Sequence, residues 1–132
     1  MSTCQYEIEK GVFYVHNPKH RNFTPDAGRW TISEEAERLS FGTALRSGWV
    51  GENEGWGLHI ENDVPTYLGV DRFDVHSFVA KYIDSSGSTI WHGFPKAPAD
   101  VPGPGVLKDW LQEGTLRKKT VKLLSQGRPC SL

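Results

Sequence analysis

Four prolines, Pro95, Pro98, Pro102 and Pro104, fall within ten residues directly after a run of strand-forming side chains. No other stretch limits this chain as much. Each proline locks φ near −65° and lacks an amide donor, so the segment is barred from helix interior and central strand. The run before it, VHSFVAKYIDSSGSTIWHGF from position 75, reads as a β-hairpin. Over residues 75–83 one parity holds Val75, Ser77, Val79, Lys81 and Ile83, and the other holds His76, Phe78, Ala80 and Tyr82. Neither parity is polar throughout, which fits a central strand covered on both faces. Residues 84–88 (DSSGS) read as the turn, 89–92 as the partner strand, and Gly93 as a bend. A stiff loop over 91–104 carrying Trp91, His92 and Phe94 should follow.

Upstream, Tyr6 and Ile8 alternate with Glu7 and Glu9, then Gly11 leads into Val12, Phe13, Tyr14 and Val15, which predicts an N-terminal hairpin. Residues 16–29 (HNPKHRNFTPDAGR) are rich in turn formers and predict a long loop, a kind that is often functional. A helix should start near Thr31 or Ser33, with Thr31 and Glu34 spaced as a capping box. Its apolar stripe is read as Ile32, Ala36, Leu39 and Thr43, with Ala44 alongside and Glu34, Glu35, Glu37 and Arg38 on the rest of the surface. Gly48 stands where a helix normally ends. Strands are predicted at 49–50, 56–60 and 66–70, the second broken by Asn62, Asp63 and Pro65. Two short helices close the chain. One starts at Pro104 with Val106, Leu107, Trp110 and Leu111 inward, and the next turns Leu116, Thr120, Leu123 and Leu124 inward.

The chain of 132 residues is the size of one domain spanning 1–132. Its 37% apolar and 23% charged content excludes a disordered tail, and no apolar run reaches the roughly 20 residues a membrane-crossing helix needs. The expected fold class is α+β: a mainly antiparallel sheet of about five or six strands, one helix in the N-terminal half and a C-terminal helix pair. The N-terminal MSTCQYEIEK has neither a basic start nor an apolar core, so a cytoplasmic setting with Cys4 and Cys130 as reduced thiols is expected.

The net charge of −1 conceals a basic end: residues 96–132 carry 7 basic and 3 acidic side chains. The helices joined by Gly114 and Thr115, with Arg117, Lys118, Lys119 and Lys122, have the spacing of a helix-turn-helix. A supporting third helix is missing nearby, so an αα-hairpin covering the sheet is the expectation. His16 and His20 are separated by Asn17 and Pro18, which prevents both facing one metal from a helix. No metal and no cofactor is expected.

Function is expected to be recognition of another macromolecule, a protein ahead of RNA because the net charge is near zero. The contact would be made by Trp91 and Phe94, with His20, Arg21, Arg29 and Lys96 completing it. A metal-independent ribonuclease is the alternative, with His76 and His92 as acid and base and Lys81 as the stabilising cation. Counted from the turn, His76 is farther out than His92, so their meeting requires a shifted register. A structural subunit docking through the proline loop is the third reading.

Overall fold

The computed structural model describes residues 4–84 and 87–132, so Ser85 and Ser86 of the turn predicted over 84–88 lie outside the described residues. The fold is α+β, with three helices, a six-stranded sheet and a three-stranded sheet among the described residues. The N-terminal hairpin forms as β1 (Gln5–Glu9) and β2 (Val12–Val15). After a short 3-10 turn over Pro18–His20 come β3 (Arg29–Trp30) and α1 (Glu34–Arg46). The Ser33 hydroxyl, rather than Thr31, caps α1 by accepting from the Ala36 amide. Next are β4 (Glu54–Glu61), β5 (Val64–Thr66), β6 (Gly69–Val70), β7 (His76–Ser77), β8 (Val79–Ile83) and β9 (Ile90–Pro95). The chain ends in α2 (Pro104–Gln112) and α3 (Lys118–Ser125).

The large sheet has the order β1-β2-β9-β8-β4-β5, so β8 is central as its two-sided pattern predicts. Only the β2–β9 pair is parallel; every other pair is antiparallel. Asn62 and Asp63, both at positive φ, form the tight turn between β4 and β5 instead of simply ending a strand. Pro65 is tolerated because β5 is the edge strand. β9 runs on through Gly93 to Pro95, two residues beyond the predicted bend, and the Lys96 amide still reaches the Val79 carbonyl.

The predicted continuous strand over 75–83 is in fact split at Phe78. β7 pairs with β6 in the smaller sheet, order β3-β6-β7, while β8 belongs to the larger one. The Ser77 hydroxyl donates to the Val79 and Lys96 carbonyls, which fixes the crossover between the sheets.

The two faces of the large sheet are covered differently. On one, Tyr14, Tyr82 and Trp91 meet Phe41 of α1, with ring centroids 5.0, 5.1 and 5.7 Å from it respectively. Gly93 is required there, because a Cβ would lie 2.5 Å from Tyr82 Cδ1 and 2.9 Å from the Tyr14 hydroxyl. The stripe of α1 that faces the sheet is Glu37, Phe41 and Ala44, a spacing of four and then three, whereas Leu39 is 61% exposed. The expected stripe was therefore rotated, because the carboxylate of Glu37 masked the inward position. On the other face, Trp56, Leu58 and Val79 lie under the α2–α3 hairpin, and Trp49 meets Trp110 edge-on at 5.6 Å. That hairpin leaves Arg117, Lys118, Lys119 and Lys122 in solvent. The remainder of this second face, around Ile83, His92 and Phe94, is not covered by a helix.

Candidate functional site

Cross-strand pairs Ile83–His92 and Lys81–Phe94 set four side chains on one face of the hairpin. Above them folds the 17–28 loop, and between the two lies an open cleft of about 270 Å³. Its walls include Lys19, His20, Arg72, His92, Phe94 and Asp100. They come from the 17–28 loop, the stretch around Arg72, β9 and the segment after it, so only the tertiary fold assembles them.

The loop is held rigidly. The Asn17 side chain accepts from the Lys19 amide at 3.0 Å and caps the 3-10 turn. The His20 ring is stacked, tilted by 30°, 5.2 Å from Phe94, and its Nδ1 lies 2.8 Å from the Gly28 carbonyl oxygen. A carbonyl can only accept, so Nδ1 carries the hydrogen and Nε2 is the nitrogen with a free lone pair. Burial pulls the pKa of His20 below its ordinary value, with Lys19 and His92 acting in the same direction against the Gly28 bond and Glu37. Burial also lowers His92, opposed by the fields of Asp84 and Glu37 and aided by Lys19. Two imidazoles thus share one cleft, and the field of His92 reaches His20.

The anchor of the loop is Arg21, which sequence reasoning assigned to binding. Its Nη2 and Nε donate to Glu37 Oε1 at 2.6 and 3.1 Å, and the Tyr14 hydroxyl donates to the other oxygen, Oε2. Glu37 is only 1% exposed. His16 Nδ1 lies 3.0 Å from the same Oε1 without forming a hydrogen bond to it. Burial first, then Glu37, drives the Tyr14 pKa well upward, and the phenol stays a donor. Arg21 is therefore committed to holding the loop on α1 and has no fork left for a partner.

The remaining expected residues separate. His76 is exposed on β7, edge-on to Tyr67 at 5.8 Å, and lines a different depression with Lys96, Arg128 and Cys130. It shares no cavity with His92, since β7 left the hairpin for the other sheet. Lys81 forms ion pairs with Asp100 at 3.7 Å and Glu54 at 3.9 Å and lies over the Trp56 ring, reaching the cleft only through Asp100. Trp91 is 4% exposed against Phe41 and is a core residue, unavailable to a partner. Lys96, 5% exposed, donates from Nζ to the Ala97 carbonyl, and burial lowers its pKa. The 91–104 segment is thus largely internal at its start, with alternation along β9 deciding which residues face inward.

Beside the cleft is a rim of which the sequence reading named only Arg29. Phe23 is 80% exposed and Phe73 is 62% exposed. The Arg29 guanidinium lies 5.7 Å from the Phe23 ring centre, and that of Arg72 lies 5.0 Å from Phe73, both within cation–π range. The two loops enclose a second depression of about 230 Å³, to which Asp26 and Asp74 also contribute. The 71–75 loop is pre-shaped: the buried Asp71 carboxylate accepts from the amides of Phe73 at 2.8 Å and Val75 at 3.1 Å. A signal existed in the sequence, namely single phenylalanines in polar loops close to arginines, Phe23 near Arg29 and Phe73 after Arg72.

No family model, curated protein or solved structure matches this chain. Among the described residues no helix is long and apolar enough to cross a membrane, and no group of three or more metal-ligating side chains gathers.

Proposed function

We propose that this protein is a binding module for another protein, and that its contact surface is the rim formed by Phe23, Arg29, Arg72 and Phe73. The observation that carries this reading is the pair of exposed phenyl rings, each under an arginine guanidinium, on two adjoining loops. Large exposed apolar side chains with arginines are the composition of interaction hot spots. The Asp71 bonds hold one loop in shape before any partner arrives, which lowers the entropy lost on association. The partner that suits this chemistry is an extended segment with an apolar side chain for the two rings and carboxylates for the two guanidiniums. Mixed charge at the rim, with Asp26 and Asp74 beside the arginines, favours such a peptide over a uniformly anionic polymer.

Selection from a displayed random-peptide library tests this reading. Peptides with carboxylates flanking an aromatic or branched apolar residue should be enriched. Arg72→Glu should weaken a selected peptide about tenfold or more, by reversing one charge pair worth at least ~1.4 kcal/mol. Lack of enrichment, or binders indifferent to Arg72→Glu and Phe73→Ser, rules the surface out.

A further inference from the structure

We infer that the cleft between the 17–28 loop and β9 is an acid–base site that cleaves single-stranded RNA, with His20 as the base and His92 as the acid. The cleft shares Arg72 with the rim but does not depend on the peptide reading.

The lining sets the chemistry that this cleft can perform. It holds two imidazoles, two exposed cations (Lys19 and Arg72), two carboxylates (Asp26 and Asp100) and the apolar wall of Phe94, but no serine, threonine, cysteine or tyrosine. Such a set can move protons and stabilise an anion, yet supplies no hydroxyl or thiol nucleophile. The substrate it suits brings its own nucleophile beside the bond to be broken. In RNA the 2′-hydroxyl adjoins the phosphodiester, and in DNA it is absent. The cleft volume of about 270 Å³ is near the lower end of ligand pockets, room for one nucleotide unit with the strand leaving through the open side.

The Gly28 carbonyl fixes His20 in the tautomer whose Nε2 is a base. In the step, Nε2 takes the 2′-hydroxyl proton as that oxygen attacks phosphorus. The bond from phosphorus to the 5′-oxygen breaks, and protonated His92 gives its proton to the departing oxygen. The products are a 2′,3′-cyclic phosphate and a free 5′-hydroxyl, with no redox change. Lys19 and Arg72 are placed on the lining to meet the charge that develops on the phosphoryl oxygens. Phe94, already stacked with His20, offers its ring as a wall for a base. The groups that set the charge of the pair are Lys19, Glu37 and Asp84 by their fields, with Asp26, Arg72 and Asp100 on the lining.

The experiment is incubation of the full chain with the dinucleotide UpA in EDTA, followed by phosphorus NMR across pH 5 to 8. Wild type should form the 2′,3′-cyclic phosphate with a bell-shaped pH dependence. His92→Gln should lower the rate by about 10²-fold or more, the ordinary contribution of one acid–base group. His20→Gln should remove the acid limb of the profile, a readout that loss of stability would not produce. His76→Gln, on another surface, should stay within about twofold of wild type. Absence of product with folded wild type overturns the proposal. So does cleavage that His92→Gln leaves unchanged, because His92 is only half-buried and its loss does not empty the core.

Discussion

Replacing Arg21 by alanine should be the most damaging change in the loop, and its size follows from what it strands. Glu37 is 1% exposed and receives two N–H bonds from Arg21 and one O–H bond from Tyr14. Arg21→Ala removes the only full positive charge hydrogen-bonded to that carboxylate among the described residues. Breaking a buried pair from one side typically costs about 3–5 kcal/mol, because the partner remains charged and unsolvated. With a urea slope of about 1.5 kcal/mol per molar, the unfolding midpoint should fall by about 2–3 M. The loop loses its anchor as well, since Arg21 Nη1 also bonds the Ile32 carbonyl. Urea titration followed by tryptophan fluorescence measures the shift. The decisive comparison is the double variant Arg21→Ala, Glu37→Gln. With a neutral amide in place of the stranded charge, it should be more stable than Arg21→Ala alone by about 1 kcal/mol or more. A single variant within about 1 kcal/mol of wild type, or a second substitution that adds its own loss in full, would refute the buried-pair reasoning.

Gly93→Ala should destabilise by about 1–3 kcal/mol or prevent folding, because its Cβ would meet Tyr82 Cδ1 at 2.5 Å and the Lys81 carbonyl at 3.0 Å; thermal melting measures it. Asp84→Ala removes the acceptor of the Ser88 and Thr89 amides, at 3.1 and 2.8 Å, and should lose about 1–3 kcal/mol while the sheet registers persist in amide exchange. His20 and His92 titrate lower when folded, so the unfolded chain binds protons first as pH falls. Their contribution to stability is present above the unfolded value near ~6.5 and is lost below it. His20→Gln should therefore flatten the fall in stability below that pH, and an unchanged slope in urea titrations at pH 5 to 8 would show that burial does not hold the ring neutral.

Much of the architecture was legible from local chemistry. Turn formers at Gly11, Gly48, Gly114 and Gly127, all at positive φ, mark where elements end, and Pro104 marks where α2 begins. The two-sided composition of 79–83 identifies a central strand, because a strand between two neighbours is covered on both faces. The same reasoning found the helix over 34–46, but assigned Glu37 outward, since a carboxylate counts as polar until its partners Arg21 and Tyr14 are known.

The site was less legible, for a physical reason. Strand alternation says which residues share a face, but the choice of face depends on what packs there. Trp91 turned to the helix side and His92 to the open side by one residue of register. His76 could be assigned to the hairpin only while the strand was assumed continuous, and the Ser77 bonds carry it into the smaller sheet. His20 lines the same cleft as His92 because Arg21 and Glu37, 16 residues apart in the chain, pin the loop. Local sequence, then, determined the elements of this protein and their ends, since those depend on propensity and caps within a few residues. Tertiary structure alone decided which histidines line one cleft, because that depends on burial and on ion pairs between segments remote in the chain.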